Sequence, residues 1–156
     1  MFSIRLDYPN EDQEVEIVRR TTGAEPGEVS VKLSAEQIQA FQSLVRKVPV
    51  SDYVTEYAVR IVRATRPKDN PTDFVRNYVS WGAGPRASQF LVLGAKARAA
   101  LRGEPTPAHE DVRAVAYAVL RHRIVTNFNA DAEGISTDNV ISHILETVPA
   151  DPPFGG

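Results

Sequence analysis

The sequence predicts a mainly α fold: a helical bundle with a short strand and a helix at its N-terminus, and material for at most a small sheet. Three observations predict it. From Ser34 to Val148, apolar residues recur at three- and four-residue spacing in one segment after another. Capping residues, prolines and glycines punctuate those segments. The extended, alternating pattern is confined to residues 2–8, 29–33 and 123–128. A chain of 156 residues, 42% hydrophobic and 24% charged, can bury a core without covalent staples.

Residues 2–8 (Phe-Ser-Ile-Arg-Leu-Asp-Tyr) alternate with period two and read as a strand. Its backbone needs a neighbour, so pairing with residues 29–33, with residues 123–128 or with a second copy is expected. Asn10 with Gln13 is a capping-box pair for a helix to about Thr22, with a thin stripe of Val15, Ile17 and Val18. Gly23 to Gly27, with Pro26, reads as a loop and a boundary. Ser34 and Gln37 repeat the capping box ahead of Ile38, Phe41, Leu44 and Val45, until Pro49 stops the helix. Ser51 caps the next, whose stripe is Val54, Tyr57, Ala58, Ile61 and Val62. Lys68 to Thr72 read as loop, and about 73–80 as a short helix carrying Phe74, Val75, Tyr78 and Val79.

The longest helix is expected from Pro85 to about Arg102, with Phe90, Leu91, Leu93, Ala97 and Leu101 inward and Gly103 as its stop. Thr106-Pro107 then reads as a cap and first-position proline for a helix through Val112, Val115, Val119 and Leu120. Ser136 or Thr137 caps a last helix with Val140, Ile144, Leu145 and Val148. The Pro/Gly-rich tail, residues 149–156, reads as flexible.

Composition excludes several classes of chemistry. There is no cysteine, hence no disulfide and no thiolate nucleophile. Three histidines without an HExxH motif or a His/Cys cluster argue against a metal centre. A net charge of −2 gives no global field toward nucleic acid or an anionic membrane. No apolar run approaches a membrane span, and no secretory signal opens the chain, so a soluble cytoplasmic location is expected. Arginine outnumbers lysine 14 to 4, favouring forked recognition of phosphate or carboxylate.

One stretch concentrates that chemistry, Trp81-Gly82-Ala83-Gly84-Pro85-Arg86-Ala87-Ser88. Gly82 and Gly84 permit close approach of a ligand or another backbone. Pro85 suits a first helical turn. Arg86 at a helix N-terminus opposes the macrodipole unless an anion shares the site with it and with the first-turn N–H groups. The alternative is an exposed arginine whose stem lies along an apolar neighbour. Elsewhere, Arg121-His122-Arg123 offers either a second anion contact or a basic helix end, with His122 protonation disfavoured by its neighbours. Arg60, Arg63 and Arg66 share one helix face, read as solvated with a partner or DNA contact as the alternative. Trp81 reads as packing its loop against the bundle.

Five segments in order carry a resemblance: Phe2–Pro9, Val62–Pro67, Gly82–Ser88, Val119–Ile124 and Ala132–Ile135. Together they resemble the C-terminal half of MoxR-type AAA+ ATPases, over residues 2–148. The resemblance implies that residues 1–25 are the last strand and helix of an α/β nucleotide-binding core, that residues 30–148 are a helical lid of the AAA+ type, and that residues 149–156 are a tail. It implies that Arg86 is the sensor-2 arginine reading the γ-phosphate of ATP and coupling hydrolysis to lid movement. Gly84, Pro85 and Ala87 would sit beside it, and Arg121 would be a further contact. ATP and Mg are the implied cofactors of the full-length protein. Its own AAA+ core, neighbouring subunits of a hexameric ring and von Willebrand factor A domain proteins are the implied partners, in a chaperone-like assembly or activation ATPase. An extra helix before sensor 2 in such relatives reorients the lid, leaving open which subunit Arg86 serves.

The chain departs from the family pattern in having no Gly-x-x-x-x-Gly-Lys-Ser/Thr loop and no acidic magnesium motif. Two other classes compete: a stand-alone helical adaptor for protein partners, and a DNA-binding helix pair, against which the acidic balance argues. Without the phosphate loop the chain cannot position Mg-ATP or a water nucleophile, so the isolated chain is expected not to hydrolyse ATP. A protein-dependent phosphate release above contaminant level would overturn this.

Overall fold

The computed structural model describes residues 2–23, 30–69 and 72–150. They form two separately packed units: residues 4–42, and residues 43–150 joined by Phe2 and Ser3.

The smaller unit holds helix α1 (Glu11–Thr21) and most of α2 (Ala35–Lys47). Both start as their side chains dictate. Asn10 Oδ1 accepts from the Gln13 N–H at 2.9 Å while Gln13 Oε1 accepts from the Asn10 N–H at 3.1 Å. Ser34 and Gln37 repeat the exchange at 2.8 and 3.2 Å. Acidic residues open α1 and Arg19 and Arg20 close it, which suits the macrodipole. Neither helix buries a residue, and Val15, Ile17, Val18, Ile38 and Phe41 stay exposed.

The expected strand over residues 2–8 is absent. Residues 2–10 carry no regular structure, and residues 30–33 form no strand, residue 29 lying outside the described residues. The backbone finds a different partner: the Ser3 N–H donates to the Ala118 carbonyl at 2.7 Å. Phe2 settles over Gly94, where a Cβ would come within 2.8 Å of its ring. A single bond to a helix end thus replaces the expected ladder. Within the expected 23–27 loop, residues 24–27 also lie outside the described residues.

The larger unit is built from α3 (Asp52–Ala64), α4 (Asp73–Tyr78), β1 (Val79–Trp81), α5 (Pro85–Leu101), α6 (His109–Leu120), β2 (Val125–Thr126), α7 (Phe128–Glu133) and α8 (Thr137–Thr147). Helix α5 packs on α6 and α3, and α6 and α3 both pack on α8. Ser51 and Ser136 cap α3 and α8 as expected. Val54, Tyr57, Ala58, Ile61 and Val62 of α3 are buried, as their spacing predicts. They meet Leu91, Val112, Val119, Leu120, Ile141 and Ile144 in the core. At about 1.5–3 kcal/mol for each large aliphatic side chain, this face stabilises the bundle far more than helix propensity does.

Several expectations are corrected. Val79 leaves the short helix for β1, which pairs antiparallel with β2 through Val79↔Thr126 and Trp81↔Val125. Residues 123–128 therefore do supply a strand, but its partner is 79–81. Phe128 instead opens α7, whose Asn127 cap accepts from the Ala130 N–H at 3.1 Å. The inward face of α5 is Ala87, Leu91, Gly94, Ala95 and Ala99, while Phe90, Leu93 and Ala97 are half-buried and Leu101 is 89% exposed. Small residues face in because α5 lies against two helices, and close approach outweighs side-chain bulk.

Thr106-Pro107 does not open α6, which begins at His109 after Ala108. The buried Asp111 carboxylate sets that start, accepting from the Ala108 N–H at 3.0 Å. It also takes a two-pronged Arg102 pair at 2.6 and 3.1 Å and Arg98 Nε at 3.1 Å. So many charge-assisted donors offset the cost of burying a carboxylate. Pro149 and Ala150 are described: Arg60 Nη2 donates to the Ala150 carbonyl at 2.9 Å. The rest of the expected flexible tail, residues 151–156, lies outside the described residues.

Candidate functional site

The loop that launches α5 is fixed from the end of α3. Thr65 is fully buried; its hydroxyl donates to the Val62 carbonyl at 2.6 Å and accepts from the Ala83 N–H at 2.8 Å. The Ala83 carbonyl in turn accepts from Arg66 Nε at 3.0 Å. Both backbone groups of Ala83 are thereby satisfied by side chains, and the loop has no sheet or helix on which to shift register. Gly82 makes the approach possible. A Cβ there would stand 2.4 Å from the Thr65 carbonyl oxygen and 2.8 Å from the Arg66 Cα. Gly84 differs: a Cβ would meet nothing within 4 Å, and its φ of −84° suits any residue. Of the two glycines, only Gly82 is demanded by packing.

Helix α5 starts on Gly84 as N-cap with no side-chain cap and with Pro85 in its first turn. Pro85 has no N–H to offer, and the Ala87 N–H donates to the Gly84 carbonyl at 2.9 Å. The first turn thus presents fewer free backbone donors than a helix start usually does. The side chain of Arg86 is what remains. It is exposed and, among the described residues, has no hydrogen bond and no carboxylate partner. Its charged neighbour is Arg123. Burial first, and the Arg86 charge second, pull the Arg123 guanidinium below the ordinary arginine value. Beside the loop is a cleft of about 460 Å³ walled by Arg66, Pro67, Lys68, Trp81 and Pro85. Trp81, expected to pack the loop on the bundle, is instead 73% exposed in that wall.

The other candidate residues are engaged. Arg121 makes a two-pronged pair with Asp138 at 2.7 and 2.8 Å, which raises its pKa, and it lies over the Tyr117 ring. An anion at Arg121 would compete with that carboxylate. His122 is exposed, and its protonation is disfavoured by burial first and by Arg123 second. Arg63 and Arg66 share Asp69 at 3.6 and 3.4 Å, and Arg60 lies over Tyr57, so these three arginines, the last of them beyond the end of α3, are tied down within their own unit. Glu133 accepts from the Tyr78 hydroxyl at 2.6 Å, which raises the tyrosine pKa. Among the described residues no cluster of three or more acidic or histidine side chains could hold a metal ion. No described helix is long and apolar enough to cross a membrane.

The residue that sequence reasoning missed is Thr65. It lies within Val62–Pro67, one of the five segments that carry the resemblance.

Comparison with known proteins fits this geometry. Residues 73–144, which run from α4 into α8 and include the Gly82–Arg86 loop, match the AAA lid domain family. That defines the class: a lid of the AAA+ type. The chain is 35% identical over 149 residues to the chaperone MoxR1 of Mycobacterium tuberculosis, an alignment covering 95% of this chain and 39% of that protein. It is 28% identical over 149 residues to the Bacillus subtilis protein YeaC, covering 95% and 44% respectively. A crystal structure from Cytophaga hutchinsonii, assigned as an ATPase, superposes with a TM-score of 0.82 at 33% identity, covering 96% of this chain and 46% of that one. The chain belongs to the MoxR-type AAA+ ATPases, as a C-terminal region of that family. It spans less than half the length of the relatives it matches.

The two glycines are separable by mutation. Gly82→Ala is expected to lower unfolding free energy by about 2 kcal/mol or more, because backbone must move. Gly84→Ser supplies an N-cap hydroxyl and is expected to be neutral or to stabilise by about 0.5 kcal/mol. Urea denaturation of the two variants checks both, and equal effects would contradict the clamp.

Proposed function

We propose that this chain is the lid region of a chaperone-like MoxR-type ATPase, in which Arg86 reads the γ-phosphate of ATP and couples hydrolysis to lid movement. The observation that carries the proposal is an exposed arginine at the start of a 17-residue helix, with no carboxylate partner among the described residues and a second arginine beside it. Such a cation is matched by an oxyanion more readily than by a neutral partner. ATP phosphate oxygens therefore fit the donors present. Magnesium would take its ligands from elsewhere, since no candidate cluster occurs among the described residues.

In this reading residues 1–25 complete an α/β core, residues 30–148 form the lid and residues 149–156 a tail. Ile4, Leu6 and Tyr8, all highly exposed, are apolar enough to be covered by that core. Gly84, Pro85 and Ala87 shape the approach to Arg86, and Arg121 acts by holding α8 to α6 through Asp138. The intact protein would work in the cytoplasm as a hexameric ring, with its own core and neighbouring subunits as partners and von Willebrand factor A domain proteins as co-workers. The family resemblance supports these last assignments.

The alternative, a helical adaptor, leaves Arg86 without a role. With the lid joined to its α/β core, Arg86→Ala is expected to lower ATP turnover about 10²–10³-fold, the loss typical of removing one preorganised donor to developing charge. Unchanged turnover, with partner binding abolished by substitutions at Ile4 or Leu6, would favour the adaptor.

A further inference from the structure

A glycine inside a helix costs stability unless something must approach its backbone. Gly94 sits in the middle of the 17-residue α5, and two groups crowd the point where its Cβ would stand. The tip of the Phe2 ring is the closer, with Cζ at 2.8 Å and Cε1 at 3.1 Å; Val115 Cγ2 of α6 follows at 3.2 Å. The notch lies between α5 and α6 and admits the end of an aromatic ring.

A polar group on α6 takes the next residue. Ala118 lies about one turn beyond Val115. Its carbonyl belongs to the last turn of that helix, where carbonyls lack an intrahelical donor, and it accepts from the Ser3 N–H at 2.7 Å. The seat therefore has two parts: a notch for a ring, and an acceptor for the N–H of the residue that follows it. Phe2 fills it loosely. It keeps 46% of its surface exposed, and the chain from Ile4 onward belongs to the smaller unit. An occupant held by one ring tip and one hydrogen bond is exchangeable.

If residues 1–25 complete an α/β core, Phe2 and Ser3 leave α5 and α6, and the notch and the Ala118 carbonyl lose their partner. Resting on that reading, we propose that in the intact ATPase this seat docks a segment of a partner protein. That segment carries an aromatic residue, phenylalanine above all, followed by a residue other than proline. In the isolated chain Phe2 and Ser3 stand in for it. The partner is thereby placed on the same helix as Arg86.

The probe is the acetylated, amidated peptide Phe-Ser-Ile-Arg-Leu-Asp-Tyr, the sequence of residues 2–8. It is titrated into isotope-labelled protein, with the amide shifts of Gly94, Val115 and Ala118 as the readout. The Phe2→Ala chain is expected to bind it at least about fivefold more tightly than the unaltered chain, whose tethered Phe2 competes. Adding Gly94→Ala fills the notch with a better helix former and is expected to cost about tenfold. A peptide with alanine for its phenylalanine is expected to lose as much, and it reads the same contact without altering the protein. The lid joined to its α/β core is expected to bind the peptide as the Phe2→Ala chain does. No binding by the Phe2→Ala chain, equal binding with or without Phe2 or Gly94, or shifts confined to other residues overturns the proposal. So does a dimer of the unaltered chain that Phe2→Ala dissociates, which would make a second copy the occupant. Hydrogen exchange at Ile4 and Leu6 in the joined protein separates the two readings. Slow amides there without peptide binding leave the core assignment standing and remove the docking site; exchange at the rate of exposed amides removes both.

Discussion

One hydroxyl governs the geometry of this lid. Thr65, sealed at the end of α3, donates to the Val62 carbonyl and accepts from the Ala83 N–H, so a single side chain closes a helix and pins a loop. Leaving a buried amide without its acceptor costs about 1–3 kcal/mol, so the loop has one favoured position. From Ala83 onward everything is consequence. Gly82 must lack a Cβ to reach the end of α3, Pro85 sits in the first turn of α5, and Arg86 follows it, exposed.

That chain of constraints gives physical content to a likeness first seen as strings of letters. Val62–Pro67 and Gly82–Ser88 are two halves of one clamp, joined by the Thr65–Ala83 and Arg66–Ala83 bonds. Val119–Ile124 brings Arg123 to the same corner and holds Arg121 on α8. In Ala132–Ile135, Gly134 takes the left-handed conformation that ends α7, with φ of 68°. Phe2, from the first segment, rests on Gly94. Most of the matching segments thus meet around α5, the helix whose small-residue face lets α3 and α6 come close.

Much of this was legible beforehand. Both capping boxes at Asn10 and Ser34, the caps at Ser51 and Ser136, and the buried stripe of α3 follow from local hydrogen-bond chemistry and helical period, which a sequence displays directly. Arg86 is exposed and unpaired among the described residues, a state that both the anion contact and the alternative of an exposed arginine with its stem along an apolar neighbour would have. What stayed hidden depends on partners remote in sequence. Residues 2–8 alternate like a strand, but alternation names no neighbour, and Ser3 bonds a helix end instead. Leu101 looked inward by period, yet packing against two helices turned the alanine face of α5 to the core. The α6 start was misplaced because Asp111, a buried carboxylate tied to two arginines, outweighed the local Thr-Pro signal. Thr65 escaped notice because a lone threonine at a helix end carries no signature of the loop it holds.

The Ala83 amide gives the most direct measure of whether that hydroxyl sets the site. Site-resolved hydrogen exchange is expected to place it with the slow core amides of α3 and α5, opening only on unfolding of the larger unit. Exchange at the rate of a solvent-exposed loop amide would show that the loop is not pinned, and that the position of Arg86 is not fixed by Thr65.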